Sequence, residues 1–217
     1  MSQVISHVPF PAMKRPLVAI LRGIRPDETM GIVDELIESG FTAIEIPLNS
    51  PDPFRSIEMA VRMAPPEILI GAGTVLTTEA VDQLHEVGGR LMVTPNTDAD
   101  VLTRARARGM DTMPGVFTAS EAMLAAKCGA SSLKFFPASV LGAAGITAIR
   151  AVLPADLMIA AVGGVSDKNF ADYVSAGILA FGLGSSLYKP GMTAAEIKER
   201  AKVTIEAYDV AVQGVQS

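Results

Sequence analysis

Short apolar runs alternate with helix-like segments along most of the chain. Gly, Pro or Asn ends each run, and the following segment carries apolar residues at helical spacing, as at Ile32, Val33, Leu36 and Ile37. The pattern therefore predicts eight strands, each followed by a helix. The predicted strands are Leu17–Arg22, Ala43–Leu48, Ile68–Val75, Leu91–Asn96, Thr112–Val116, Ser132–Pro137, Met158–Val165 and Phe181–Leu187.

Residues typical of helix ends flank the predicted helices. The start signals are Pro26-Asp27-Glu28, Thr77-Thr78-Glu79, Thr118-Ala119-Ser120-Glu121 and Ser166-Asp167. A glycine follows where five of the helices should stop, which predicts C-terminal caps in the left-handed conformation. These glycines are Gly40, Gly88, Gly109, Gly129 and Gly177.

Near-continuous apolar strands are typical of a parallel sheet that helices cover on both faces. Eight strand-helix units favour an α/β fold of the (β/α)8 TIM-barrel type, and an open doubly wound sheet is the alternative. No linker or change of composition divides the chain, so we expect a single barrel domain over residues 16–217. Residues 1–15 form a predicted N-terminal extension, a candidate to cover the lower end of the barrel.

Composition narrows the possible functions. Hydrophobic residues make up 49% of the chain and charged residues 19%, which predicts a large core. The net charge of −5 and the lack of a Lys/Arg-rich block argue against a nucleic-acid partner. No apolar stretch is long enough to cross a membrane, and no secretory signal precedes the barrel, so we expect a cytoplasmic protein. A single cysteine, Cys128, and two histidines argue against a disulfide or a metal site.

Polar residues occur near the C-terminal ends of five predicted strands, where parallel barrels place their active sites. Strand alternation directs Arg22, Glu45 and Lys134 towards the interior. Burial lowers a lysine pKa, so Lys134 beside Glu45 is a candidate nucleophile with a proton shuttle, and a buried ion pair is the alternative. Arg22 is a candidate to bind a carboxylate through two hydrogen bonds, and a salt bridge at the rim of the barrel is the alternative. The other polar residues are Thr74, Thr94 and Asn96. The alternative for these three is that they only form hydrogen bonds with the backbone of loops.

Glycines at the ends of the last two strands indicate a phosphate site. Val162-Gly163-Gly164-Val165-Ser166 follows the seventh predicted strand, and Gly182-Leu183-Gly184-Ser185-Ser186-Leu187 ends the eighth. Glycine lets backbone amides approach a phosphate, and barrels often bind phosphate after these two strands. Either pair alone could serve a turn, but both together favour phosphate binding.

Six motifs occur in one order between Pro16 and Tyr208. They are Ala19-Ile20-Leu21-Arg22-Gly23, Glu45-Ile46-Pro47-Leu48-Asn49-Ser50, Gly71-Ala72-Gly73-Thr74-Val75, Val93-Thr94-Pro95-Asn96, Leu133-Lys134-Phe135-Phe136-Pro137 and Val162-Gly163-Gly164-Val165. With these motifs the chain resembles the 2-keto-3-deoxy-6-phosphogluconate and -galactonate aldolases. The resemblance implies a class I aldolase on a (β/α)8 barrel, a homotrimer, and no metal or cofactor beyond a covalent imine.

The resemblance also implies roles for individual residues. Lys134 would be the Schiff-base lysine and Glu45 the general acid/base, while Arg22 and Thr74 would contact the pyruvate-derived carboxylate. The positions that match the phosphate site are Gly163, Gly164, Gly184 and Ser185. Asn96 and Phe136 complete the predicted substrate-binding set.

Two strings resemble the galactonate-type members rather than the gluconate-type ones. These are Pro47-Leu48-Asn49-Ser50 and Val162-Gly163-Gly164. The resemblance therefore implies cleavage of 2-dehydro-3-deoxy-6-phospho-D-galactonate to pyruvate and D-glyceraldehyde 3-phosphate in galactonate breakdown. The alternatives are the gluconate-type aldolase, another phosphate-binding barrel such as a thiamine-phosphate or indole-glycerol-phosphate synthase, and a non-catalytic sugar-phosphate sensor.

Overall fold

Nine parallel strands form one sheet that curls into a nearly closed barrel in the computed structural model, which describes residues 9–216. The sheet order is β5-β4-β3-β2-β1-β9-β8-β7-β6, so consecutive strands pair with each other except β5 and β6, and the first described strand pairs with the last. The strands are β1 Leu17–Ile20, β2 Ala43–Pro47, β3 Leu69–Gly73, β4 Leu91–Val93, β5 Asp111–Met113, β6 Gly115–Val116, β7 Ser132–Phe135, β8 Met158–Val162 and β9 Ala180–Leu183.

Helices follow the strands and cover the outside of the barrel. They are α1 Pro26–Glu38, α2 Pro53–Met63, α3 Thr78–Glu86, α4 Ala99–Ala107, α5 Ala119–Lys127, α6 Ala138–Arg150, α7 Phe170–Ser175 and α8 Ala194–Gln216. Among the described residues, none of these helices combines the length and the apolar character that crossing a membrane requires. The predicted α/β barrel of a single domain is confirmed.

Strand alternation divides the core into two layers, as the sequence pattern predicts. Residues such as Ile44, Leu133 and Phe135 point outwards and pack against the helices. The opposite faces of the strands fill the barrel interior, with side chains that include Val18, Ala43, Leu69, Leu91, Val93, Ala160, Val162 and Ala180. A side chain at an inward position close to the C-terminal end of a strand therefore faces the mouth of the barrel.

The fifth predicted strand, Thr112–Val116, is wrong as one continuous element. It forms two strands, because Pro114 lies between β5 and β6 and has no N–H to give to a ladder. β5 pairs with β4, whereas β6 pairs with β7, so the break lies where the barrel closes. The carbonyl of Pro114 still accepts a hydrogen bond from the Lys134 N–H at 2.9 Å.

Most predicted helix ends agree with the structure. Thr77 and Thr118 accept backbone N–H bonds as N-caps, and all five predicted C-terminal glycines have φ between 71° and 102°. The Ser166-Asp167 start signal is wrong, because α7 begins at Phe170. Asn169 instead closes a turn there, as its side chain accepts from the Ser166 N–H and donates to the Gly164 carbonyl.

The described part of the N-terminal extension covers the lower end of the barrel. Phe10 is fully buried and packs with Met13 against the interior residues at the starts of the strands. The Phe10 N–H also donates to Asp111 Oδ2 at 3.2 Å, at the first residue of β5. Residues 1–8 of the predicted extension lie outside the described residues.

Candidate active site

Two ionisable side chains lie inside the barrel near its mouth. Glu45 on β2 is 2% exposed, and Lys134 on β7 is 6% exposed. Both occupy inward positions in strands that are buried over their whole length. Among the salt bridges of residues 9–216, none joins Glu45 directly to Lys134. The structure therefore does not contain the buried ion pair that the sequence left open as an alternative.

Burial raises the pKa of Glu45 from 4.5 to about 7. The positive charges of Lys134 and Arg22 and a hydrogen bond from the Gly73 backbone act in the opposite direction but do not outweigh the desolvation. Within the described residues, Oε2 of Glu45 has no hydrogen-bond partner. Gly73 makes room for this carboxylate, because a Cβ there would collide with both of its oxygens. A carboxyl group in this state can take up and release a proton near neutral pH.

Burial also lowers the pKa of Lys134. The negative charge of Glu45 raises that pKa in part, while the positive charge of Arg22 lowers it further. Nζ lies 4.8 Å from the centroid of the Phe136 ring, which forms one wall beside the amine. A lysine with a lowered pKa supplies a larger fraction of neutral amine, the form that attacks a carbonyl carbon.

A cavity of about 380 Å³ opens above Lys134 at the C-terminal ends of β1, β7, β8 and β9. It brings together seven of the predicted site residues: Arg22, Lys134, Phe136, Gly163, Gly164, Gly184 and Ser185. Glu45 does not line the cavity. Its carboxylate nevertheless interacts electrostatically with Lys134 and Arg22, and both of these residues line the cavity. Ser166 and Ser186, which belong to the two predicted glycine strings, also line the cavity, and Lys189 is a lining residue that the sequence did not single out.

The glycine end of the cavity has its shape because two positions exclude side chains. Gly163 and Gly164 have φ of 88° and 79°, in the left-handed region. A Cβ on Gly164 would lie 2.5 Å from Cβ of Ser139, at the start of α6. Gly184 differs, since a Cβ there would meet nothing within 4 Å and would only intrude into open space. Glycines, serine residues and Lys189 therefore line an open end of the cavity, and this composition suits an anion.

Thr74 and Asn96 do not line this cavity. Thr74 is half-buried directly after Gly73 and has φ of 57°, a conformation that a β-branched residue rarely adopts. Asn96 is exposed, and its Oδ1 accepts from Oγ1 of Thr94 at 2.8 Å in a local turn. The substrate-binding roles of both residues therefore stay predictions.

Cysteine, histidine and carboxylate side chains do not cluster elsewhere in the described part of the chain. Within residues 9–216, no group of three or more His, Cys, Asp or Glu side chains is placed to hold a metal ion. Cys128 caps the C-terminus of α5, and His85 is exposed on α3.

A parallel barrel with a buried lysine and a buried carboxyl group near its mouth, below a cavity with a glycine-rich end, is typical of an α/β-barrel enzyme. The chain belongs to the KDPG and KHG aldolase family, whose model matches residues 11–208. The protein is therefore an aldolase, a lyase that acts on a carbon–carbon bond.

Similar proteins agree with this assignment. The chain is 66% identical over 212 residues to a probable 2-dehydro-3-deoxy-6-phosphogalactonate aldolase of Rhizobium meliloti, covering 98% of this chain and all of that one. It is 47% identical to the 2-dehydro-3-deoxy-6-phosphogalactonate aldolase of Escherichia coli, covering 92% of this chain and 98% of the relative.

Solved structures show the same fold. A native KDPGal structure superposes with a TM-score of 0.91 at 47% identity, covering 93% of this chain and 98% of the other. The 2-keto-3-deoxy-6-phosphogluconate aldolase of Zymomonas mobilis with 3-phosphoglycerate gives a TM-score of 0.79 at 27% identity, covering 88% and 90%.

Proposed function

We propose that this protein cleaves 2-dehydro-3-deoxy-6-phospho-D-galactonate to pyruvate and D-glyceraldehyde 3-phosphate through an imine on Lys134. The observation that carries the proposal is the buried Lys134 with a lowered pKa, placed near Glu45 and below a cavity with a glycine-rich end. The relatives at 66% and 47% identity, both named for this substrate, support the choice of epimer.

The reaction begins with the amine of Lys134. Neutral Nζ attacks the C2 ketone of the substrate, and the resulting carbinolamine loses water to give a protonated imine. This imine withdraws electrons from C3, so the C3–C4 bond can break without a metal or another cofactor. Phe136 stands beside Nζ and shields one side of the imine from solvent.

Glu45 handles the protons of the later steps. Its carboxylate accepts the proton of the C4 hydroxyl as the C3–C4 bond breaks and glyceraldehyde 3-phosphate leaves. The electron pair of that bond forms an enamine, which takes a proton at C3 to give the imine of pyruvate. Water then hydrolyses this imine and releases pyruvate and Lys134. The pKa of about 7 lets one carboxyl serve as base and then as acid.

The two anionic groups of the substrate would occupy separate ends of the site. Arg22 and Thr74 contact the carboxylate, with Asn96 and Phe136 nearby, while Gly163, Gly164, Gly184 and Ser185 bind the phosphate. Lys189 adds a positive charge at the phosphate end, because it lines the cavity beside Ser185. The unusual φ of Thr74 supports its role, since strained backbone is often kept at functional positions.

The decisive experiment compares the two epimers as substrates. Purified protein is given 2-dehydro-3-deoxy-6-phospho-D-galactonate or its gluconate epimer, and pyruvate release is followed with lactate dehydrogenase. We expect a higher kcat/KM for the galactonate epimer.

Equal values would remove the basis for the epimer assignment. Faster cleavage of the gluconate epimer would assign the alternative activity, since the same catalytic pair can serve both substrates. Binding of phosphorylated sugar acids without any pyruvate release would instead favour a sensor.

We also propose that the protein is a homotrimer that acts in the cytoplasm, as the resemblance implies. A related domain at 45% identity, with a TM-score of 0.92, occurs in a cage designed by fusing symmetric oligomeric domains, which supports an oligomer. Light scattering coupled to size exclusion should give three times the chain mass of 22.7 kDa. A mass of one or two chains would contradict the trimer.

A further inference from the structure

Two tight turns meet at the mouth of the barrel beside Glu45. The first turn follows β1, where the Ile24 N–H donates to the Leu21 carbonyl at 3.2 Å. The second follows β2, where the Ser50 N–H donates to the Pro47 carbonyl at 2.9 Å. The first turn carries Arg22 at its tip. The position of this arginine therefore depends on a short segment between β1 and α1.

Consecutive side chains of the second turn hold consecutive residues of the first. Oδ1 of Asn49 accepts from Nη1 of Arg22 at 2.8 Å. Oγ of Ser50 accepts from the Gly23 N–H at 2.9 Å, and Ser50 is 7% exposed. One bond thus fixes the arginine side chain, and the other fixes the backbone next to it.

The first turn is also restrained from its other side. Gly23 has φ of 84°, and a Cβ there would lie 2.8 Å from Cγ of Pro190. Pro190 directly follows Lys189, which lines the cavity. The turn that carries Arg22 is therefore confined between the loop after β2 and the loop after β9, and it has little room to move without breaking the bonds to Asn49 and Ser50.

We propose that Asn49 and Ser50 act as a clamp that positions Arg22 for binding an anionic group of the substrate. The inference rests on the proposed function, because it assumes a phosphorylated keto acid in this cavity. Asn49 is a positioning residue and not a catalytic one, since it acts through the Arg22 guanidinium. Its amide oxygen is uncharged, so it orients the guanidinium without neutralising it, and the positive charge stays available to the substrate.

The test is a double-mutant cycle on Asn49 and Arg22. Asn49→Ala should raise KM about threefold to tenfold and leave kcat nearly unchanged, because a typical hydrogen bond contributes about that factor. In an Arg22→Ala background the same substitution should have almost no further effect, since the group that it positions is gone. Asn49→Asp should raise KM more than Asn49→Ala does, because its carboxylate would pair with the guanidinium and compete with the substrate.

Glu58→Ala is the matched control, because it also removes a side chain that pairs with an arginine. Glu58 lies on α2, the helix that follows the loop with Asn49. Glu58 Oε1 lies 2.5 Å from Nη2 of Arg62 on α2, away from the cavity residues, and its loss should not change KM. Equal KM for Asn49→Ala and the wild type, or full additivity with Arg22→Ala, would overturn the clamp.

Calorimetric titration with 3-phosphoglycerate separates the clamp from the proposed function. If wild-type protein releases no pyruvate, the proposed function fails, yet the binding constants of the same variants still test the clamp. We expect weaker binding in Asn49→Ala than in the wild type. Unchanged binding would contradict the clamp whatever the activity.

Discussion

The active site has two ends, and the chain builds them differently. At one end, Glu45 and Lys134 project from strands and are almost completely buried. At the other end, Gly184 and Ser185 belong to a loop, and Ser185 is exposed. Burial shifts the pKa values of the first pair, whereas backbone geometry and access shape the second site. Covalent chemistry and proton transfer need desolvated groups in fixed positions, while an anion needs donors that it can reach.

The difference predicts that changes at the buried end reduce kcat and that changes at the loop end raise KM. A group that acts only in the transition state affects kcat, and a group that binds substrate and transition state equally affects KM. Substitutions at the two ends can therefore test the comparison directly.

The largest effect should come from Lys134→Ala. Loss of the nucleophile should lower kcat on the order of 10⁴-fold or more, because no imine can form. Borohydride in the presence of pyruvate should reduce the wild-type imine to a stable adduct, and mass spectrometry should place that adduct on Lys134. Lys168→Ala is the matched control, as Lys168 is exposed and does not line the cavity, and it should trap pyruvate normally. An adduct on any other lysine would refute the assignment.

Glu45→Gln should have the next largest effect. A positioned proton donor or acceptor contributes about 10²–10⁴-fold, so kcat should fall by that factor while pyruvate trapping on Lys134 is partly retained. Burial raises the pKa of Glu45 to about 7, so the carboxylate that acts as base accumulates as the pH rises through that value. The wild-type kcat should therefore increase as the pH rises through about 7, and kcat of the variant should not show this increase. The exposed Glu199→Gln should behave as wild type, and an unchanged pH profile in Glu45→Gln would contradict the role.

Strand alternation was enough to predict the buried end from the sequence. A charged residue within an apolar strand is rare, and its place in the alternation fixes the face that it occupies, so Glu45 and Lys134 could be placed inside the barrel. The Gly-Gly pair after β8 was equally visible, because few other residues adopt its conformation.

Other features depend on contacts that no local pattern records. The break at Pro114 depends on where the barrel closes, and the start of α7 depends on the bond from Asn169 to the Gly164 carbonyl. Lys189 resembles any exposed lysine in the sequence, and only the fold shows that it lines the cavity. Asn49 occurs within a motif, yet its contact with Arg22 requires two separate loops to meet.

The smallest effect should come from Lys189→Ala, which tests the loop end alone. The side chain is exposed, so its attraction to a phosphate is partly screened, and KM for the phosphorylated substrate should rise only about 1.5-fold to fivefold with kcat unchanged. The effect should shrink at high ionic strength, because salt screens exposed charges. Pyruvate carries no phosphate, so trapping of pyruvate should be unaffected. Lys168→Ala again serves as the matched lysine control. A fall in kcat without a change in KM would mean that Lys189 acts on the buried pair, and the separation between the two ends would then be wrong.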